Sequence, residues 1–74
     1  MNTTDILENT LDALYTRECY IKDFLTAEKK AYEELLPKHR ELLQEEYETN
    51  IRLLEDCQKN LLDAIAKLKA HLGW

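Results

Sequence analysis

Pro37 divides the chain of 74 residues into two halves of nearly equal length, and it is the only proline. A proline inside a helix loses a backbone hydrogen bond and clashes with the preceding turn, but it fits the first position of a new helix. The only glycine, Gly73, is suited to end a helix. We therefore expect one helix over about residues 4–35, a break at 36–37 and a second helix over about residues 37–72.

The composition of both halves favours helix over sheet. The chain has no valine, 34% of its residues are charged, and Leu, Glu, Lys and Ala recur throughout. These are features of long helices and coiled coils, whereas β-strands are enriched in β-branched residues. The sequence therefore predicts an all-α fold in a single domain that covers residues 1–74.

Apolar residues in the first half recur at the heptad spacing of a helix that packs along one side. This seam comprises Leu7, Leu11, Leu14, Ile21, Leu25, Tyr32 and Leu35. Glu18 and Glu28 interrupt it. Six more apolar residues lie beside it, namely Ile6, Ala13, Tyr20, Phe24, Ala27 and Ala31. The apolar band is therefore wider than one partner helix can cover, and its flank needs a further contact.

The second half predicts a similar seam, which comprises Leu43, Tyr47, Leu54, Cys57, Leu61, Ala64 and Leu68. In this assignment Ile51, Ile65 and Leu72 flank the seam, Asn50 lies inside it, and Cys57 is a small buried apolar residue. Acidic residues precede basic ones by four positions at Glu18/Lys22, Glu34/Lys38, Glu48/Arg52, Glu55/Lys59 and Asp63/Lys67. Such pairs stabilise isolated helices by about 0.2 to 0.5 kcal/mol each.

A two-helix antiparallel hairpin and one kinked rod are both compatible with Pro37. The distribution of charge favours the hairpin, because folding back sets the acidic residues near Asp5 beside the basic ones near Lys69. A chain this short buries little surface alone, and it has neither the cysteines for a disulfide framework nor the ligand spacing of a zinc site. We therefore expect two hairpins to dimerise as a four-helix bundle.

Polar residues on the seams are the first candidates for a functional site. Glu18 and Glu28 resemble the carboxylates of dinuclear metal sites in helical bundles, but those sites also need Glu-x-x-His. Leu36 and Leu68 stand three residues before the two histidines. We therefore expect no metal, no cofactor and no catalytic residue. Glu18, Glu28 and Asn50 are instead interpreted as residues that specify register or oligomeric state, as polar residues do in coiled coils.

Tyr15, Cys19 and Trp74 form the candidate interaction patch. Tyr15 and Cys19 lie away from the wide apolar band, and Trp74 is the last aromatic residue of the chain. Amphipathic rings of this kind are enriched at protein interfaces. We expect the exposed Cys19 to have no structural role. The minor alternative is oxidative cross-linking between molecules.

The net charge and the lack of long apolar runs argue against nucleic acid and membranes as partners. A net charge of −5 opposes direct binding to nucleic acid. No apolar run approaches the roughly 20 residues needed to cross a bilayer, so we expect a cytoplasmic protein that does not bind membranes.

We expect a non-enzymatic protein–protein interaction module, such as a small adaptor, regulator or inhibitor, with itself and an unidentified protein as partners and no small-molecule substrate. The alternatives are a structural coiled-coil subunit and, less strongly indicated, a metal-dependent bundle enzyme.

Overall fold

The computed structural model describes residues 2–74 and consists of two helices. Helix α1 runs over Thr3–Glu34 and helix α2 over Pro37–Leu72. The molecule measures 56 × 16 × 15 Å. A helix of 36 residues is itself about 54 Å long, and a kinked rod of both helices would be about twice that length. The helices therefore fold back on each other, and the predicted all-α antiparallel hairpin is confirmed.

Both outer ends of the hairpin are capped. The Asn2 side chain accepts a hydrogen bond of 2.8 Å from the Asp5 backbone N–H. At the other end Gly73 adopts φ 78°, which glycine tolerates without a Cβ clash. The backbone N–H of Trp74 then donates to the Lys69 carbonyl at 2.8 Å. These contacts satisfy backbone groups that the helix ends would otherwise leave unpaired.

The reversal takes two residues, Leu35 and Leu36, and it is closed by Arg40. Pro37 occupies the start of α2, as predicted. The Nη2 of Arg40 donates to the Glu33 carbonyl at 2.8 Å and to the Leu35 carbonyl at 3.0 Å. The last turn of α1 contains no basic residue, so the cation that its negative end favours comes from the first turns of α2. Sequence analysis missed this role because it depends on the chain reversal.

Two stacked tyrosines lie next to this turn. The rings of Tyr32 and Tyr47 have centroids 5.4 Å apart. The Arg40 guanidinium lies 5.9 Å from the centroid of the Tyr32 ring, on its face. An arginine over an aromatic face gains a favourable cation–π contact. Arg40 therefore ties the end of α1 to the start of α2 through both its charge and its planar surface.

The core between the helices is narrow. Every predicted seam position of α1 is buried or half-buried, including Glu18 and Glu28. Only Leu11, Leu25 and Ile65 are buried among residues 2–74. The predicted α1 seam is confirmed, and the small core fits the expectation that one hairpin covers only part of its apolar surface.

The predicted seam of α2 is correct at six positions and wrong at Asn50 and Cys57. The half-buried residues are Leu43, Tyr47, Leu54, Leu61, Ala64 and Leu68. Cys57 and Asn50 are exposed, whereas Ile51, Gln58 and Ile65 face the first helix. From Tyr47 onward the covered positions keep a strict seven-residue repeat, with one row through Leu54 and a second row through Ile51, Gln58 and Ile65. The prediction placed the second row one residue too early, at Asn50 and Cys57. The predicted burial of Cys57 is therefore corrected.

The ion pairs also differ from the prediction. The pairs formed within residues 2–74 are Lys30–Glu34 at 4.0 Å and Lys29–Glu55 at 3.8 Å, and the second joins the two helices. None of the five predicted acid-first pairs is among them, and Glu34/Lys38 spans the chain reversal. Exposed pairs of long side chains gain little over solvent, so their geometry is weakly determined. In the part of the chain that the structure describes, neither helix is long and apolar enough to span a membrane.

We expect Arg40→Ala to lower the free energy of unfolding by about 1 to 3 kcal/mol, because it leaves the Glu33 and Leu35 carbonyls without their donor. Arg40→Lys should recover only part of this loss, since an ammonium lacks the planar fork that reaches both oxygens. Urea unfolding followed by circular dichroism measures the change. Arg52→Ala, which removes an exposed arginine of the same helix, is the matched control. Equal effects at Arg40 and Arg52 would contradict a role for Arg40 in closing the turn.

Candidate functional site

One flank of the hairpin exposes large apolar side chains from both helices. We call it the Phe24 face, and it comprises Tyr20, Phe24 and Ala27 of α1 with Asn50, Leu53 and Cys57 of α2. Tyr20 is 61% exposed, and Phe24 and Leu53 are each 60% exposed. Contiguous apolar patches of this kind mark interaction surfaces on soluble proteins. The sequence predicted that one partner helix would not cover the whole apolar band of α1. In the hairpin, α2 leaves the Phe24 side of that band exposed.

A shallow depression lies at the centre of the Phe24 face. It is lined by Phe24 and Glu28 from α1 and by Asn50, Leu53 and Leu54 from α2. The structure therefore brings together two of the three polar residues singled out in the sequence, Glu28 and Asn50. Within residues 2–74, the half-buried Glu28 carboxylate has no ion pair or hydrogen bond. An acceptor at the edge of an apolar depression suits a cationic group on an apolar stem, as in Arg or Lys.

Glu18, the third polar residue, has a partner inside the hairpin. The Gln58 Nε2 donates to Glu18 Oε1 at 3.2 Å, and both side chains are half-buried. This hydrogen bond crosses the seam at the point where α1 and α2 face each other. Gln58 was not predicted, because Cys57 rather than its neighbour Gln58 was assigned to the α2 seam. The Glu18–Gln58 pair marks which levels of the two helices are opposite each other.

The opposite flank of the hairpin is mostly charged. We call it the Lys29 flank, because the Lys29–Glu55 ion pair crosses it. Tyr15 lies fourteen residues before Lys29, and Leu62 lies seven residues after Glu55. Heptad multiples return to the same side of a packed helix, so Tyr15 and Leu62 share this flank. Cys19 follows Tyr15 by one turn and is exposed, as predicted.

Trp74 is separate from Tyr15 and Cys19. It follows Gly73 at the end of α2, where α1 begins, and its side chain is exposed as predicted. Tyr15 lies twelve residues into α1 from Thr3, which corresponds to about 18 Å along the helix. The structure thus brings Tyr15 and Cys19 together and places Trp74 at the open end of the hairpin. Binding of a partner by these three residues stays a prediction.

The side chains that carry catalytic chemistry are dispersed. His39 lies in the first turn of α2 and His71 in its last turn, so the length of that helix separates them. Among residues 2–74, no three His, Cys, Asp or Glu side chains are grouped closely enough to hold a metal ion. The candidate functional surfaces are therefore the Phe24 face and the Lys29 flank.

Comparison of the chain with protein-family models, with curated proteins and with solved structures finds no match.

We expect Gln58→Leu to lower the free energy of unfolding by about 1 kcal/mol, because it leaves the half-buried Glu18 carboxylate without its donor. Adding Glu18→Leu should restore the stability to the wild-type value or above it, since two well-packed apolar residues often replace a polar pair without loss. Urea unfolding of the wild type, both single variants and the double variant provides the test. A double variant less stable than Gln58→Leu would contradict this account of the pair.

Proposed function

We propose that this chain is a non-enzymatic protein-interaction module that forms a homodimeric four-helix bundle through the Phe24 face and presents the Lys29 flank to a partner protein. The observation that carries the proposal is the exposure of Tyr20, Phe24 and Leu53 on one flank. Fully burying side chains of this size is worth roughly 1.5 to 3 kcal/mol each, which is comparable to the stability of a small domain.

The accessible surface supports association. The hairpin exposes 5768 Å², whereas a compact monomer of 8.8 kDa exposes about 4,800 Å². The excess of about 1,000 Å² is close to the area of roughly 800 Å² that each partner buries in a specific interface of standard size. A second hairpin on the Phe24 face would cover accessible surface of this order.

The Lys29 flank supports the second part of the proposal. It combines the charged residues Lys29 and Glu55 with two half-exposed hydrophobic side chains, Tyr15 and Leu62. A polar surface with a few aromatic or aliphatic anchors resembles the composition of transient protein interfaces. This flank faces away from the Phe24 face, so it stays accessible when two hairpins associate.

A structural coiled-coil subunit is the second candidate, and one observation favours it. Ile6, Ala13, Tyr20 and Ala27 follow each other at intervals of seven and are all exposed. This stripe continues beyond the Phe24 face toward the start of α1, as it would in a helix that packs along a longer assembly. Such a subunit would have little stable helix alone, whereas the homodimer should be cooperative and folded.

We expect Leu53→Asp to dissociate the homodimer, because it places a charge in the centre of the buried Phe24 face. Leu62→Asp is the matched control, since it makes the same change in the same helix on the opposite flank. Sedimentation equilibrium at micromolar concentration should give a dimer for the wild type and Leu62→Asp, and a lower mass for Leu53→Asp. A wild-type monomer whose melting temperature does not depend on concentration would contradict homodimerisation.

We expect Tyr15→Ala to weaken capture of the partner protein without changing the dimer mass. The tyrosine ring is an exposed aromatic side chain on the Lys29 flank, and aromatic anchors dominate many interfaces. Affinity capture from the native cell with wild-type and Tyr15→Ala baits, compared by quantitative mass spectrometry, provides the test. Proteins recovered equally by both baits would show that the Lys29 flank does not bind them through Tyr15.

A further inference from the structure

We infer that two hairpins pair across the Phe24 face with their first helices antiparallel, so that Arg17 of each copy binds the Glu28 carboxylate of the other. This inference rests on the proposed homodimer and specifies its geometry. The occupant of the depression beside Glu28 is thus the Arg17 side chain of a second copy of this chain.

Arg17 and Glu28 match each other in charge and in position. They are separated by eleven residues, which is close to three turns and about 16 Å along α1. Both therefore lie on nearly the same side of α1, yet they are too far apart to pair within one chain. Neither forms an ion pair or hydrogen bond within residues 2–74. In an antiparallel arrangement of two copies of α1, the same spacing aligns each Arg17 with the Glu28 of the other copy.

The depression is suited to an arginine. The Phe24 ring, Leu53 and Leu54 provide apolar walls for the methylene stem, and Glu28 and Asn50 provide acceptor oxygens at the edge. Arg side chains commonly bury their stems along apolar surface while the guanidinium reaches polar groups. A guanidinium also binds a carboxylate through two parallel hydrogen bonds, which an ammonium cannot reproduce.

The same arrangement covers the centre of the Phe24 face. Pairing of Arg17 with Glu28 puts the two-fold axis beside the midpoint between Lys22 and Asp23 of α1. Glu18 lies opposite Gln58, so counting along both helices places this level near Leu53 of α2. Leu53 would then meet the Leu53 of the other copy on the axis. Tyr20 would lie against the Phe24 of the other copy, because these positions are also nearly symmetric about the axis.

Two charge reversals test the pairing. In R17E, the substituted carboxylate faces the Glu28 carboxylate of the other copy, and in E28R the substituted guanidinium faces Arg17. Each variant should raise the dissociation constant of its homodimer by about tenfold, because two attractive pairs become repulsive. An equimolar mixture should instead form a heterodimer in which both contacts are attractive. Its dissociation constant should return to within about threefold of the wild-type value.

Native mass spectrometry of the mixture separates the heterodimer from both homodimers by mass, and sedimentation equilibrium gives the dissociation constants. Lys22→Glu, a charge reversal on the opposite flank of α1, is the matched control, and circular dichroism checks the helix content of every variant. A heterodimer preferred over both homodimers, with Lys22→Glu unchanged from the wild type, supports the pairing. A wild-type dimer with no preference in the mixture overturns the geometry but leaves homodimerisation standing. A monomeric wild type overturns both.

Discussion

The two-residue reversal at Leu35 and Leu36 is the constraint on which the rest of the hairpin depends. Because both helices extend without a break from this point, the place of the turn decides which residues face each other along the whole molecule. Arg40 closes the turn by donating to the Glu33 and Leu35 carbonyls, and its guanidinium also covers the Tyr32 ring. The Arg40 side chain thus places a positive charge at the end of α1, donates hydrogen bonds to its last carbonyls and packs on the Tyr32 ring.

Packing of only two helices leaves each with one covered side and two uncovered flanks. In this hairpin the flanks differ in chemistry, since one exposes Phe24 and Leu53 whereas the other carries the Lys29–Glu55 ion pair. The difference arises because most apolar residues of α1 outside the seam lie on the side of Phe24, and Tyr15 lies on the other side. The flank that most needs a further contact is therefore distinguishable from the flank that water solvates well.

The sequence predicted the parts of the fold that depend on local chemistry. Pro37 and Gly73 marked helix ends, and the α1 seam was correct because its residues keep heptad spacing from Leu7 to Leu35. On the second helix most of the predicted seam was correct, but Cys57 was placed on it instead of Gln58. Cys57 is the more apolar of these two neighbours, so hydrophobic periodicity alone favoured it. The role of Arg40 was not predictable for a different reason, since its partners belong to the other helix.

The Glu18–Gln58 pair favours one alignment of the two helices, and this alignment determines which residues lie together on the Phe24 face. The two-residue turn sets the alignment of the helices, and the pair reinforces it, because a shift by one heptad would leave the Glu18 carboxylate against apolar residues. Such a shift moves one helix by about 10 Å relative to the other. Phe24 and Leu53 would then no longer line one depression, and Asn50 would leave the side of Glu28. The Glu18–Gln58 hydrogen bond therefore favours the alignment in which the residues of the Phe24 face lie at one level.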